Sequence, residues 1–253
     1  MPSFTNDGFE LNYEDEGEGD PVLMIHGFAS SLQVNWMTPG WFKTLREAGY
    51  RAIAFDHRGH GKSSKSYDRD AYTPDAMAGD AVALLDHLDI EKTHVLGYSM
   101  GARVSAFMVL RYPERVASVA FGGLGMGMVD GVGDWDPIAE ALNADDVASV
   151  THPRGLMFRK FADATRSDRK ALAACIARSR DELTPEQIGQ INQPALVAVG
   201  TADDIAGAAA PFAALMPNGE SFDIEGRDHM LSVGDRTFKK RYLEFLGEHP
   251  LKG

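Results

Sequence analysis

A serine between two glycines is the residue of this sequence best placed for chemistry. Ser99 stands in Gly97-Tyr98-Ser99-Met100-Gly101, after the strand-like Thr93–Gly97 and before the helix-like Met100–Arg111. A serine at such a strand-to-helix turn has a strained backbone that holds its hydroxyl above the sheet, and the glycines leave room for the crossing chain. The helix N-terminus also favours a developing negative charge. These features predict that Ser99 is a nucleophile and that the backbone N–H of Met100 binds an oxyanion.

A serine hydroxyl is a poor nucleophile unless a base removes its proton. Eight histidines are available, at positions 26, 57, 60, 87, 94, 152, 229 and 249. His229 follows the strand-like Ser221–Ile224 and a turn at Glu225-Gly226. It is therefore expected at the carboxyl edge of the sheet, where Ser99 also emerges and where catalytic groups of open α/β sheets collect. We predict that His229 is the base.

The base in turn needs a carboxylate to orient it. The apolar run Ala195–Val199 ends at Gly200, and two aspartates, Asp203 and Asp204, follow. The 26 residues from Asp203 to His229 leave room for one short helix, one strand and two loops. Two neighbouring strand ends would bring these side chains together. Adjacent carboxylates point in different directions, so the pattern alone leaves both aspartates open.

A second group of candidate residues lies in Asp56-His57-Arg58-Gly59-His60-Gly61. Two histidines three residues apart beside an aspartate are compatible with a metal site. The repeated glycines indicate a tight loop, however, and no further His or Cys cluster completes a coordination sphere. We therefore expect no metal and no cofactor. The loop is expected to shape the floor of the site, with Asp56 and Arg58 in structural hydrogen bonds.

The elements that must position these residues alternate between strand and helix. Short, nearly continuous apolar runs are typical of parallel strands covered on both faces, and an alternating order predicts a doubly wound sheet. We expect a mostly parallel sheet of about eight strands with an N-terminal hairpin. The expected helices lie at Trp36–Ala48, from Pro74 to about Leu88, Ser99–Arg111, about Ala208–Met216 and about Arg236–Leu246.

Between Phe121 and Pro194 the strand pattern stops. Helices are predicted around Pro137–Leu142, Pro153–Asp163, Asp168–Arg180 and Pro185–Gln190. The insertion is too long for an ordinary loop. We therefore predict a core of residues 1–123 and 192–253 and a helical cap, here called the cap segment, of residues 124–191. An apolar pocket is expected from residues next to the catalytic positions (Phe28, Met100, Met230) and in the cap segment (Met126, Met128, Trp135, Met157, Phe158, Phe161).

Five motifs together resemble the α/β-hydrolase fold family, in its order and spacing, over essentially the whole chain. They are His26-Gly27-Phe28, Asp56–Gly61, Gly97–Gly101, Gly200-Thr201-Ala202-Asp203 and Gly226-Arg227-Asp228-His229. The resemblance is to serine esterases and lipases that carry a helical cap. It implies Asp203 as the triad acid, the N–H of Phe28 as second oxyanion donor, and His26 as a support of that loop. The serine nucleophile argues against the dehalogenase and epoxide-hydrolase branches, which use an aspartate there.

Composition narrows the range of partners. The net charge of −12 disfavours nucleic acid and anionic membranes. The single cysteine, Cys175, is expected to be a packing residue and fits a reducing compartment. The N-terminus lacks the features of a signal peptide, and no run of about 18 apolar residues is present. We expect a soluble, cytoplasmic protein with a small-molecule ester as its partner.

The expected reaction is hydrolysis of a small or medium carboxylic ester through a covalent acyl-enzyme, as in a carboxylesterase. The same triad could also serve C–C bond hydrolysis, acyl transfer, perhydrolysis or lyase chemistry, because fold membership does not separate these reactions. A further alternative is a ligand-binding protein that keeps the fold without useful turnover. Neither the oligomeric state nor the physiological substrate follows from the residues.

Overall fold

The computed structural model describes residues 2–251, which form an eight-stranded sheet. The strands are β1 Ser3–Asn6, β2 Phe9–Glu16, β3 Pro21–Ile25, β4 Arg51–Phe55, β5 Thr93–Tyr98, β6 Val116–Gly122, β7 Ala195–Gly200 and β8 Gly219–Ile224. Their order is β1-β2-β4-β3-β5-β6-β7-β8. The strands β3 to β8 are parallel, whereas β2 runs antiparallel to both β1 and β4. The predicted sheet and its N-terminal hairpin are confirmed.

Helices cover both faces of this sheet. They are α1 Trp41–Glu47, α2 Pro74–His87, α3 Met100–Arg111, α4 Asp136–Asn143, α5 Pro153–Ala164, α6 Arg169–Ile176, α7 Pro185–Ile188, α8 Ala209–Ala213 and α9 Arg236–Glu248. The start of α2 follows from its sequence. The Thr73 hydroxyl accepts a hydrogen bond from the Ala76 N–H, and Pro74 occupies the first helical position.

The predicted helix Trp36–Ala48 is wrong in its first part. The structure has a π-helical turn at Gln33–Met37, and α1 begins only at Trp41. Pro39 lacks a backbone N–H, and Gly40 takes a left-handed φ of 83°. These two residues break the helical path. The structure likewise ends α6 at Ile176 and α8 at Ala213, both earlier than the sequence pattern indicates.

An apolar layer packs on each face of the sheet, and this explains why the strands are continuous apolar runs in the sequence. In β3, Leu23 and Ile25 pack in the layer shared with α2 and α3. Their neighbours Val22 and Met24 point the other way, into the layer shared with α1 and α9. All four side chains are fully buried. Alternation along a strand that is covered on both faces thus leaves no polar face in the sequence.

The chain between β6 and β7 carries α4 to α7. Helices α4, α5 and α6 pack against one another, and their apolar side chains join the layer formed with α2 and α3. The ring of Trp135, the residue before α4, lies 5.8 Å from the ring of Phe158 between centroids, at an interplanar angle of 49°. The division at residues 124 and 191 stays a prediction. Within residues 2–251, no helix has the length and apolar character needed to cross a membrane.

Candidate active site

The turn between β5 and α3 holds Ser99 with φ 55° and ψ −114°. A left-handed φ is uncommon for a residue with a Cβ and indicates backbone strain. The flanking glycines permit it. A Cβ on Gly97 would lie 2.3 Å from the Ser105 hydroxyl oxygen, and one on Gly101 would lie 2.0 Å from the carbonyl oxygen of Ile25. The two glycines are therefore required because neighbouring chain passes where a side chain would stand.

Ser99, His229 and Asp203 form one hydrogen-bonded chain. The Ser99 hydroxyl lies 3.0 Å from His229 Nε2, and His229 Nδ1 lies 2.8 Å from Asp203 Oδ2. Three different loops bring them together, after β5, β7 and β8, all at the carboxyl edge of the parallel strands. The His229 side chain is about nine-tenths buried and that of Asp203 is fully buried. The arrangement can move a proton from the serine to the histidine.

The carboxylate that meets His229 belongs to Asp203, whereas Asp204 is exposed to solvent. Burial acts to raise the pKa of Asp203, but hydrogen bonds from His229 and from the backbone N–H groups of Ile205 and Ala206 outweigh it and lower that pKa. The two backbone bonds reach Oδ1 at 2.9 and 3.0 Å. Asp203 is therefore ionised at neutral pH and can only accept. The proton of His229 stands on Nδ1, which leaves the Nε2 lone pair facing Ser99.

The predicted oxyanion donors lie on two segments beside Ser99. Met100 is the first residue of α3, and Phe28 lies in the loop after β3. Neither backbone N–H has a hydrogen-bond partner in the part of the chain that the structure describes. Free N–H groups at a helix start and in a loop beside the serine are the kind of donor that an oxyanion needs. The role of both residues stays a prediction.

Two buried polar side chains hold the Phe28 loop. The Asn35 amide oxygen accepts from the Gly27 N–H at 3.1 Å. His26 spans the other side, with Nδ1 2.8 Å from the Gly27 carbonyl oxygen and Nε2 3.0 Å from the His57 N–H. Nδ1 therefore donates and Nε2 accepts, as in a neutral ring. Burial lowers the pKa of His26 to about 4, which keeps that ring neutral.

The loop Asp56–Gly61 lies beneath this region. The rings of His57 and His60 lie 4.7 and 5.2 Å from the ring of His26, and all three are buried. Arg58 pairs with Asp80 at 2.5 and 2.7 Å, and Asp56 accepts from the Leu32 N–H. Among residues 2–251, no group of three or more His, Cys, Asp or Glu side chains is placed to hold a metal ion.

Sequence reasoning missed Tyr98. Its hydroxyl donates to the backbone carbonyl oxygen of His229 at 2.5 Å, and its ring lies 5.6 Å from the imidazole. Gly122 and Gly123 stand where a Cβ would meet the Tyr98 ring, at 2.8 and 2.7 Å. Two consecutive glycines at the end of β6 could have indicated that a large side chain packs against the backbone at that point. Asn35 was missed too, because nothing in its local sequence marks it.

Two cavities meet at Ser99. The larger has a volume of about 860 Å³ and includes Phe28, His229, Met230, Phe158 and Phe161 in a largely apolar wall. The smaller, of about 40 Å³, includes Met100. Ser99, Phe28 and Trp135 belong to both. The other predicted pocket residues lie elsewhere. Met126 and Met128 pack into the core, and Met157 is 39% exposed, because each faces away from the cavities.

Cys175 lies behind the site and is fully buried, with its sulfur 3.8 Å from the Met100 sulfur. Burial raises the pKa of its thiol to about 12. The thiol is therefore protonated at neutral pH, so Cys175 packs without acting as a nucleophile.

Comparison with known proteins places these features in a family. A family model described as alpha/beta hydrolase fold matches residues 20–162. The chain is 41% identical over 120 residues to the dihydrolipoyllysine-residue acetyltransferase component of the acetoin cleaving system from Pseudomonas putida, which is 46% of this chain and 30% of that protein. It is 37% identical over 112 residues to an epoxide hydrolase from Caballeronia sordidicola, 44% of this chain and 33% of that protein. These matches thus span about a third of each relative.

Solved structures agree over a greater length. A hydrolase from Pseudomonas aeruginosa PA01 superimposes with a TM-score of 0.80, covering 97% of this chain and 98% of the other at 24% identity. At that sequence identity, the structural similarity establishes the fold alone. The family match extends over more than half of the residues, and the sheet order and nucleophile turn agree with it. This chain therefore belongs to the α/β-hydrolase fold family.

Proposed function

We propose that this protein is a serine hydrolase that cleaves carboxylic esters through a covalent acyl-enzyme. The observation that carries the proposal is the continuous chain from the Ser99 hydroxyl through His229 to the Asp203 carboxylate, at 3.0 and 2.8 Å. The chain ends at a strained turn that opens into an apolar cavity. A serine with a base and an orienting acid at these distances is an activated nucleophile.

In the first half-reaction, Ser99 Oγ attacks the ester carbonyl carbon while its proton passes to His229 Nε2. The carbonyl oxygen becomes an oxyanion, and we assign its binding to the N–H groups of Phe28 and Met100. Oxyanion donors of this kind contribute about 3–4 kcal/mol each to the barrier. When the tetrahedral intermediate collapses, the C–O bond to the leaving group breaks and His229 returns the proton to the departing alkoxide. An alcohol leaves and Ser99 stays acylated.

In the second half-reaction, water takes the place of the serine. His229 removes a proton from that water, whose oxygen attacks the acyl carbon, and the same two N–H groups stabilise the second intermediate. Collapse returns the proton to Ser99 Oγ and releases the acid. The ionised Asp203 stays hydrogen-bonded to Nδ1 throughout and stabilises the imidazolium that forms in each step.

The relatives are named for several different reactions. The residues of this site are therefore the basis for proposing the reaction of this protein. Epoxide opening by this family uses an aspartate at the position of Ser99, which speaks against that activity here. The same triad is compatible with C–C bond hydrolysis, acyl transfer, perhydrolysis or lyase chemistry. Ester hydrolysis needs only a nucleophile, a base, an orienting acid and oxyanion donors, and we therefore propose the ester. The lone buried Cys175 agrees with a proposed cytoplasmic location.

A fluorophosphonate probe tests the nucleophile directly, because it reacts covalently with an activated serine. We expect the wild type and Ser30→Ala to be labelled and Ser99→Ala to remain unlabelled while keeping its melting temperature. Ser30 is a second serine in the wall of the larger cavity and thus a matched control. Hydrolysis of p-nitrophenyl esters of increasing acyl length then tests the reaction. Labelling of Ser99 without turnover of any ester would refute ester hydrolysis, and no labelling would refute the nucleophile.

A further inference from the structure

The small cavity beside Ser99 limits the size of the substrate group that can bind there. This inference rests on the proposed function. It contacts the nucleophile and shares Phe28 and Trp135 with the large cavity, while its other wall residues are different ones. These two aromatic side chains line both cavities. A substrate bound at Ser99 would therefore place one part in each cavity. With about 40 Å³, the small cavity has room for only a few heavy atoms.

The position of His229 decides which part of an ester enters which cavity. His229 must protonate the leaving oxygen, so the leaving group has to lie within hydrogen-bond reach of Nε2. His229 lines the large cavity, while the wall of the small cavity is formed by other residues, Met100 among them. The alcohol part is therefore placed in the large cavity. The acyl part is placed in the small one, which limits its length.

The wall of the small cavity carries a buried positive charge that no carboxylate of the described residues contacts directly. Arg103, four residues after Ser99 on α3, is 4% exposed and donates to the carbonyl oxygens of Gly127, Met128 and Asp181. Within residues 2–251, no carboxylate oxygen lies within ion-pair distance of its guanidinium, although the carboxylates of Glu182 and Asp181 act on it from farther away and partly offset the effect of burial on its pKa. Burial lowers the pKa of Arg103 to about 10, so it remains charged at neutral pH.

The second arginine in this wall, Arg180, lies closer to solvent. Its side chain is 31% exposed and pairs with Asp136 at 3.1 Å. The other polar groups of the described wall are the hydroxyls of Ser99 and Ser179 and the indole N–H of Trp135, which is buried without a hydrogen-bond partner. A buried cation stays costly when its counter-charges lie beyond contact distance, as those of Glu182 and Asp181 do for Arg103. A guanidinium in a cavity beside a nucleophile therefore suits an anionic group, and a planar carboxylate fits it best.

We propose that the small cavity binds the carboxylate of a substrate with a short acyl chain, so that the preferred esters are half-esters of short dicarboxylic acids. Hydrolysis of such a half-ester consumes one water, breaks the acyl C–O bond and releases an alcohol and a dicarboxylate. Arg103 is the principal binding residue. Arg180 contributes less, because solvent and Asp136 already compensate its charge.

A pair of esters with equal shape tests this assignment. Benzyl hydrogen malonate and benzyl isovalerate share a leaving group and differ in a carboxylate against an isopropyl group. We expect the wild type to favour the malonate by at least about tenfold in kcat/KM, and Arg103→Met to reduce that ratio by about tenfold to a hundredfold, the size of a charge-assisted hydrogen bond. Arg111→Met is the matched control. It removes the same charge from the same helix at an exposed side chain and should leave the ratio unchanged.

Calorimetric titration with malonate supplies a readout that needs no turnover. We expect binding that weakens at least tenfold in Arg103→Met and stays within about twofold in Arg111→Met. Two results would overturn the inference: a wild type that prefers the isovalerate, or an Arg103→Met variant that lowers kcat/KM equally for both esters. The second result would show that Arg103 serves only to hydrogen-bond the carbonyl oxygens of the three loop residues. If that variant does not fold, Arg180→Met must lower the ratio by a smaller factor. Arg103-dependent malonate binding without turnover of these or of any p-nitrophenyl ester would uphold the carboxylate site and refute ester hydrolysis.

Discussion

Replacing Asp203 by asparagine keeps the size of the side chain and removes its charge, which tests the proton path. Two backbone N–H groups, of Ile205 and Ala206, donate to Oδ1. The asparagine oxygen will therefore stay at that position, and its NH₂ group will face His229. His229 Nδ1 must then accept a hydrogen bond instead of donating one, and the ring proton moves to Nε2, which faces Ser99. The histidine in that tautomer cannot take the serine proton.

The expected magnitude follows from this tautomer. A serine triad whose histidine is held in the wrong tautomer loses about 10⁴-fold in kcat, which corresponds to about 5 kcal/mol in the barrier. The loss should appear in kcat with little change in KM, because Asp203 lies behind His229 and outside both cavity walls. Steady-state hydrolysis of p-nitrophenyl acetate measures it. Melting temperature and circular dichroism establish that the variant is folded.

Asp204→Asn provides the control for this experiment. It makes the same chemical change one residue along the chain, at an exposed side chain. We expect its kcat to stay within about threefold of the wild type. A large loss in Asp204→Asn, or a loss below tenfold in Asp203→Asn, would refute the assignment of the acid. Fluorophosphonate labelling should follow the same order, since it depends on the same activated serine.

Three further predictions concern the scaffold of the site. Gly101→Ala should prevent folding or lower the free energy of unfolding by several kcal/mol, because its Cβ would meet backbone at 2.0 Å; urea unfolding should show Gly79→Ala, with open space around its Cβ, neutral or up to about 1 kcal/mol more stable. Asn35→Ala should lower kcat about tenfold with little change in KM, since it frees the loop of the proposed oxyanion donor, and Asn35→Asp, which keeps an acceptor oxygen, should retain more activity than Asn35→Leu, which keeps only the size; equal activity of these two variants would contradict the role of the hydrogen bond. Burial lowers the pKa of His26 to about 4 and of His60 to about 3, so the unfolded chain binds more protons below about pH 6.5. Stability should therefore fall by about 2 kcal/mol per histidine between pH 7 and 5, and a urea midpoint that does not change over this range would contradict the burial of these rings as neutral groups.

Much of the fold follows from local patterns. The runs in β3, β4, β5 and β7 identify buried parallel strands, since side chains on both faces must be apolar when both faces are covered. The Thr73-Pro74 pair marks the start of α2 for the reasons of capping and missing N–H given above. The helix expected from Trp36 failed because the apolar spacing continues through a backbone that Pro39 and Gly40 cannot keep helical.

The tertiary structure decided what side-chain direction and distant contacts determine. Two adjacent aspartates follow β7, and only the folded loop shows that Asp203 turns inward to His229 while Asp204 faces solvent. The Tyr98 hydroxyl reaches a residue 131 positions away, and the glycine pair that makes room for its ring lies at the end of a different strand. Nothing in the local sequence marks Asn35. The methionines of the cap segment illustrate the same limit. Apolar type predicts burial, but not whether a side chain faces the core or a cavity.

By itself, the sequence determined the strand-to-helix turn around Ser99 and the order of the elements. Backbone geometry at that turn requires glycine at positions 97 and 101, so the turn can be predicted from these two residues. Only the tertiary structure shows that Ser99, Asp203 and His229 are joined, that two cavities meet at Ser99, and that Arg103 is buried without a carboxylate of the described residues in direct contact. The physical reason is that local backbone constraints act over a few residues, whereas a site is assembled by packing between segments far apart in the chain.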